Sequence, residues 1–324
     1  MTDYRKPIEL LREKLDRIPR LSLGTFPTPA RRLAGPRGKS FFLKDDGVCS
    51  DLYGGNKVRK LEYLLAQARE TGAERLVSFG DADSHNLAAL CTFGSLEGFE
   101  VKVVVFPFDR HSDLDGCQRI LSAPGVRVVV RKRMGTAWIS ARLSGLSRSD
   151  MWVPLGSSSP LTSLGYVRAA MEFCEQIDEG LLPVPEKIFI AFGTGSSVAG
   201  LLVGFSLLGF PARVVAVRTV DRFIASARRL RSLVKGTLRI LGFPSPSRFA
   251  RAMERLDRIE SSYLGAGFRD RTPESFRAIE FMEERHCRLE PVYTAKAMAA
   301  LLDELPRHPE NKLVFWNTHD QNAG

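Results

Sequence analysis

The stretch Gly54-Gly55-Asn56-Lys57-Val58-Arg59-Lys60-Leu61-Glu62 sets a glycine pair before a helix-capping asparagine and three closely spaced cations. Val58, Leu61, Leu64 and Leu65 recur at helical spacing, so Lys57, Arg59 and Lys60 fall in a first helical turn with Asn56 as its N-cap. The N-terminal end of a helix is the positive end of its dipole, which makes these cations unfavourable where they stand. Two chemistries would explain them: an anion held at the helix start, or a lysine working as a nucleophile. The plain alternative is a solvated basic turn.

A second constellation is Gly193-Thr194-Gly195-Ser196-Ser197-Val198-Ala199-Gly200, between the apolar run Ile188–Phe192 and an apolar helix from Val198 to Leu208. Glycines let backbone N–H groups converge, hydroxyls add donors, and the helix start adds positive potential. The loop lacks the Gly-Lys-Ser/Thr ending of a P-loop and the position of a dinucleotide fingerprint, so one phosphate on a small cofactor fits it best. A tight strand-to-helix turn is the alternative.

A third is Asp83-Ser84-His85-Asn86, after the strand Leu76–Phe79 and the turn Gly80-Asp81. In open α/β sheets ligands bind beyond the carboxyl ends of strands. Ser84, His85 and Asn86 offer hydroxyl, imidazole and amide groups there; an N-cap serine with exposed neighbours is the other reading. Near the C-terminus, Tyr293-Thr294 opens a helix, and Asn317-Thr318-His319-Asp320 follows the strand Leu313–Trp316. Adjacent His319 and Asp320 on a turn do not make a hydrolytic dyad, and no Gly-x-Ser-x-Gly elbow accompanies them.

These groups need a scaffold. Strand-like runs at Phe41–Leu43, Leu76–Phe79, Val101–Phe106, Val126–Val130, Ile188–Ile190, Val214–Val217 and Leu313–Trp316 alternate with helical patterns at 57–70, 84–96, 113–123, 163–178, 197–208, 272–284 and 294–304. The alternation predicts an α/β fold with two open, twisted, mainly parallel sheets and helices on both faces. Turn-rich Gly156–Pro160 and Gly54-Gly55 suggest a larger domain from 1–58 and 163–324, with a smaller α/β domain at 59–162 inserted in it. The Arg- and Ser-rich segment 230–272 suggests a surface helix.

The 324 residues, 44% of them hydrophobic, suffice for a large core. No apolar run reaches the roughly eighteen residues of a membrane span, and the charged, amphipathic start lacks a signal-peptide core, so a soluble cytoplasmic protein is expected. Five scattered cysteines and five scattered histidines give no disulfide framework or zinc spacing, and no metal is expected. The net charge of +10 is spread in small clusters such as Arg131-Lys132-Arg133, without a nucleic-acid-binding motif.

Taken together, the lysine at a glycine-flanked helix start, the Gly/Ser/Thr loop and the polar strand-end turn resemble a pyridoxal-phosphate enzyme of the tryptophan-synthase β-like fold (fold type II). The nearer resemblance is to the 1-aminocyclopropane-1-carboxylate deaminase and D-cysteine desulfhydrase family. It covers nearly the whole chain, from Leu23-Gly24-Thr25-Phe26-Pro27-Thr28-Pro29 and Lys44-Asp45-Asp46 through the lysine segment, Ser159 to Tyr166 and the phosphate loop to Pro291-Val292-Tyr293-Thr294-Ala295-Lys296-Ala297-Met298.

The resemblance implies pyridoxal 5'-phosphate held by Lys57 as a Schiff base. It also implies cofactor contacts from Asn56, Lys60, His85, Asn86, Gly193, Thr194, Gly195, Ser196, Ser197, Thr294 and Thr318, with Thr318 at the pyridine nitrogen. Lys57, Ser84, Tyr293 and His85 become the catalytic candidates. The family is usually dimeric, so a homodimer is expected, with a small amino acid as substrate and no nucleic-acid or membrane partner.

The chain departs from the family pattern in four places. Thr294 stands where the deaminases carry Glu, which points away from cyclopropane ring opening. His85-Asn86 reverses an Asn-His order, Asp81 replaces a glycine, and Asn317-Thr318-His319-Asp320 replaces His-Thr-Gly-Gly. The implied reaction is α-proton removal by Lys57 and loss of a β-substituent, giving an α-keto acid and ammonia, as in a D-cysteine desulfhydrase. β-Replacement and racemisation are the alternatives within enzymes. A catalytically altered cofactor- or amino-acid-binding protein is the alternative outside them, motivated by His85 and His319-Asp320.

Overall fold

The computed structural model describes residues 4–107, 123–144 and 147–322. In chain order its elements begin with α1 (Arg5–Asp16), β1 (Ala30–Ala34), β2 (Ser40–Asp45), α2 (Asn56–Glu70), β3 (Arg75–Asp81), α3 (His85–Leu96) and β4 (Glu100–Phe106). There follow β5 (Val126–Val130), α4 (Met134–Ser144), β6 (Asp150–Trp152), α5 (Leu164–Asp178), β7 (Lys187–Phe192), α6 (Ser196–Leu207) and β8 (Arg213–Arg218). The last are α7 (Ala227–Ile240), α8 (Pro246–Glu254), β9 (Leu256–Glu260), α9 (Pro273–Glu283), α10 (Thr294–Glu304) and β10 (Leu313–Asn317). Every apolar run read as a strand is one. The helix expected over 113–123 lies outside the described residues, save its last position.

The chain forms two compact units. The larger contains Met1–Ile18, Gly24–Asn56 and Ser163–Gly324; the smaller contains Pro19–Leu23 and Lys57–Thr162. The larger holds a six-stranded sheet in the order β1-β2-β10-β7-β8-β9, parallel except for the β1–β2 pair. All residues of β2 and β10 are buried, because helices cover both faces of a parallel sheet. On one face Phe41, Leu43, Phe189 and Phe315 pack with Ala295, Met298 and Leu301 of α10. Elsewhere in this core, Trp316 meets Phe173 of α5 at 5.4 Å between ring centroids, and Phe173 meets Phe205 of α6 at 6.2 Å.

Helices α5 and α6 approach at glycine distance. A Cβ added at Gly200 would lie 2.3 Å from the Ser163 carbonyl oxygen and 2.5 Å from Tyr166 Cβ, and one at Gly204 would lie 2.5 Å from Ala170 Cβ. This contact fixes the position of α6, and with it the loop that precedes it. The core also contains charge. Asp46, fully buried, accepts from Thr28 Oγ1 at 2.9 Å, Tyr166 Oη at 2.7 Å and Trp316 Nε1 at 2.9 Å. Lys44, also fully buried, pairs with Glu172 and donates to the Thr28 carbonyl at 2.6 Å and Gln176 Oε1 at 2.8 Å.

The smaller unit holds a four-stranded, all-parallel sheet in the order β5-β4-β3-β6. Val77, Phe79 and Val104 pack against Ala137 and Ala141 of α4, and Phe79 stacks on Trp152 at 5.8 Å. Residues 19–23 belong to this unit because buried Glu62 of α2 accepts from Arg20 Nη1 at 2.7 Å and from the Leu23 N–H at 3.1 Å.

Strands β1, β6 and β9 and helices α1 and α4 were not among the sequence expectations. β6 is only three residues long, and β9 is half-buried along its length, so neither shows an apolar run. The surface helix suggested for 230–272 resolves into α7 and α8, and α7 begins earlier, at Ala227.

Candidate active site

In the larger unit, β7 ends at Phe192 and α6 begins at Ser196, two residues before the expected Val198, so both serines lie in the first helical turn. Ser196 is fully buried, and among the described residues its Oγ has no hydrogen-bond partner. Ser197 Oγ accepts from Asn56 Nδ2 at 3.2 Å. Arg229 of α7 donates through Nε to the Thr194 carbonyl at 2.9 Å, bracing the loop from behind; burial pulls the Arg229 pKa down. A buried hydroxyl without a partner, among the free N–H groups of a helix start, has the donor set of an oxyanion site. These residues fit a phosphate.

Asn56 is the first residue of α2 rather than the residue before it, so it is not the N-cap expected from the sequence. Its side-chain amide is engaged with Ser197, and its N–H donates to the Thr318 carbonyl at 3.1 Å. The two glycines before it are bound as closely. Gly55 N donates to the Asp46 carbonyl at 2.8 Å, and Gly54 N to Asp320 Oδ1 at 2.8 Å. A Cβ at Gly54 would stand 1.8 Å from the Gly47 carbonyl oxygen, so no other residue fits.

The bulky residues in the 317–320 turn therefore have structural work. Asn317 Nδ2 donates to Asp45 Oδ1 at 2.8 Å, and Asn317 Oδ1 accepts from the His319 N–H at 3.1 Å. Asp320 holds Gly54, and the same oxygen accepts from the Asn322 N–H at 3.0 Å.

Tyr293 and Thr294 meet at the start of α10. Glu290 caps this start: its carboxylate accepts from the N–H groups of Val292 at 2.8 Å, Tyr293 at 2.9 Å and Thr294 at 2.7 Å. Although the residue keeps some exposed surface, its carboxylate is enclosed, and desolvation pushes its pKa up to about 7 against those hydrogen bonds. Thr294 Oγ1 is bonded to the same group, which ties it to the helix start. The Tyr293 ring lies against the phosphate loop, with Cε1 3.5 Å from where a Gly193 Cβ would be. It also meets Phe268, edge-on at 6.1 Å.

In the smaller unit, Arg59 and Lys60 are buried, at 2% and 3% relative exposure, and Lys57 is half-buried. This rules out a solvated basic turn. Burial and the charge of Lys57 hold the Lys60 pKa well below the usual lysine range. Ser84 caps α3, its Oγ accepting from the Leu87 N–H at 3.4 Å, while His85 is half-buried and Asn86 buried at the first turn. Among the described residues Asn86 Oδ1 has no hydrogen-bond partner, and neither does the Oγ of fully buried Ser157.

Glu290, Asp320, Arg229 and Ser157 were missed as participants. Glu290 precedes the N-cap Tyr293, whereas the Glu of a capping box follows the N-cap, so no local sequence signal marks it. Asp320 and Arg229 act on residues distant in sequence, which no local pattern reveals. Among the described residues no group of three His, Cys, Asp or Glu could hold a metal, and Cys49, Cys91, Cys174 and Cys287 are buried and not in disulfides.

The family model described as pyridoxal-phosphate dependent enzyme matches residues 21–318. A D-cysteine desulfhydrase of Serratia proteamaculans (strain 568) is 28% identical over 308 residues, covering 90% of each chain. A nocardicin C-9' epimerase of Nocardia uniformis subsp. tsuyamanensis is 27% identical over 312 residues, covering 93% of this chain and 92% of its own. Among solved structures, an ACC deaminase homologue superposes with a TM-score of 0.80 at 24% identity, covering 97% of this chain and 95% of its own. The match to the family model across nearly the whole chain, on a fold of two mainly parallel sheets, identifies the protein as a member of the pyridoxal-phosphate-dependent enzymes, with pyridoxal 5'-phosphate as its cofactor.

Proposed function

We propose that the protein is a lyase or deaminase of the D-cysteine desulfhydrase type. It would remove the α-proton of a small amino acid and eliminate a β-substituent, with release of an α-keto acid and ammonia. The observation that carries this reading is the bond from Asn56 to Ser197, which ties the residue before Lys57 to the first turn of the phosphate-fitting helix. The D-cysteine desulfhydrase relatives support the reaction type.

Pyridoxal phosphate, when bound, supplies an electron sink that makes the α-proton acidic. Gly193, Thr194, Gly195, Ser196 and Ser197 would hold its phosphate through backbone N–H groups and hydroxyls, and the resemblance gives Lys60 as a further phosphate contact. Lys57 would hold the cofactor covalently and move the α-proton at Nζ. Thr318 would orient the cofactor ring through its hydroxyl, and the resemblance gives Thr294, His85 and Asn86 as further cofactor contacts. Tyr293 Oη and Ser84 Oγ, or His85 in their place, would hold or deliver the proton that the leaving group needs. The larger unit serves as the cofactor-binding domain, the smaller as the inserted domain, and the working form is a homodimer.

The test is a panel of D-cysteine, L-cysteine, D-serine and 1-aminocyclopropane-1-carboxylate, read by α-keto acid release and by the visible band of the lysine-bound cofactor. Lys57→Ala should lose that band and at least about 10³-fold in turnover. A wild-type band that persists in Lys57→Ala rejects the assignment. Light scattering of the loaded protein reads the dimer.

A second reading, inversion at the α-carbon, is favoured by the epimerase relative. It predicts solvent deuterium entering the α-position and a change of hand, without ammonia. The two readings share Lys57 and differ in whether a β-substituent is lost.

A further inference from the structure

Ser157 lies in the turn Leu155–Ser157 of the smaller unit, and this turn packs against α3, whose first turn carries Asn86. Its backbone is left-handed, with φ of 48°, immediately after Gly156 at 65°. That region is strained for a residue with a Cβ and natural for glycine. The side chain is fully buried, and among the described residues its hydroxyl is unsatisfied.

A serine here is therefore doubly unfavourable, and glycine would remove both penalties at once. Strain and an orphan hydroxyl in one side chain are the signature of a group held for a ligand. Asn86, 6% exposed, shows the same deficit from α3: its Oδ1 is a buried acceptor without a donor.

Resting on the amino-acid reading above, we infer that Ser157 and Asn86 form a polar subsite for the uncharged side-chain group of the substrate, a hydroxyl or a thiol. The pair has the required chemistry. Both groups are neutral, so neither competes for the substrate's carboxylate as a cation would. Asn86 Oδ1 needs a hydrogen, which an O–H or S–H supplies. The Ser157 hydroxyl donates back to the same oxygen or sulfur. A substrate without that group leaves both atoms unsatisfied.

The experiment titrates the cofactor-loaded protein with serine and alanine of each hand, reading apparent Kd from the cofactor absorbance, in wild type, Ser157→Gly and Ser157→Ala. For the hand that binds, both variants should weaken serine by about 3–10-fold and leave alanine within about twofold. Ser157→Gly should also raise Tm, by about 1–2 °C, because it relieves the left-handed strain; Ser157→Ala should not. Equal effects on serine and alanine, or none, overturn the subsite and leave a pocket that water fills. If no amino acid perturbs the wild-type spectrum, the amino-acid reading itself fails and the subsite falls with it.

Discussion

Lys44 in the larger unit and Lys60 in the smaller are both buried, at 0% and 3% relative exposure, but their surroundings are opposite in sign. Lys44 meets the Glu172 carboxylate, a carbonyl and an amide oxygen, a complete set of partners for its three donors. What acts on Lys60 is burial and a like charge, Lys57, and its pKa falls accordingly. A buried charge with its partners supplied by the chain ties elements together. A buried charge pressed against another of the same sign is arranged for something that arrives later. The first kind should govern stability and the second, ligand affinity.

The comparison breaks most visibly at Glu172. Glu172→Ala strands the Lys44 ammonium in the core and should cost about 3–5 kcal/mol of stability, read by denaturant unfolding. The fraction that stays folded should bind cofactor as wild type does. A loss of cofactor affinity with unchanged stability would reverse the roles assigned to the two lysines.

Lys60→Met should act the other way. Removing the mismatched cation leaves the apoprotein as stable as wild type or more so, while cofactor affinity falls about 10–100-fold, the worth of a charge-assisted contact. The pH dependence has a definite sign. A lysine with a depressed folded pKa binds fewer protons folded than unfolded, so wild type loses stability relative to Lys60→Met as pH falls from about 10.5 towards the folded value.

Glu290 sharpens the contrast with an acid. Its three backbone donors do not overcome desolvation, and its pKa stands at about 7 against an ordinary 4.5. Between those values the unfolded chain has released the proton and the folded chain retains it. Stability from this group is therefore full below pH 4.5 and is lost as pH rises through 7. Relative to Glu290→Gln, which does not titrate, wild type should lose about 1–3 kcal/mol across that window, with Lys296 on α10 the charged neighbour that moderates it. A flat difference would mean the carboxylate is ionised throughout.

The parallel sheets were legible because their central strands are apolar on both faces, as in Leu313–Trp316 and Val101–Phe106. Helix α7 was blurred by its arginines, although Leu230, Leu233, Val234 and Leu238 keep helical spacing beneath them. Helix α4 exposes Trp138, Ile139 and Leu143, so its apolar residues do not mark a buried face. At the site, the lysine segment and the serine loop could be read because a glycine turn running into a helix start is a local signal. Ser157 could not, because Gly-Ser-Ser-Ser-Pro reads as a turn until backbone angle and burial are known. Asp320 was read as a substituted glycine, and its service to Gly54 spans 266 residues of sequence.

That span has a consequence for how the protein is made. Gly54 rests on Asp320, Asn56 on Thr318, and Asp46 on Trp316. A ribosome has delivered Lys57 long before it has delivered any of these partners. The segment bearing the lysine cannot be set while β10 is still in the exit tunnel, so a nascent chain captures no cofactor in the finished geometry. Arrest of translation before Leu313 should give a chain whose smaller sheet can form while its lysine turn waits, and emergence of residues 313–320 should coincide with acquisition of the cofactor band.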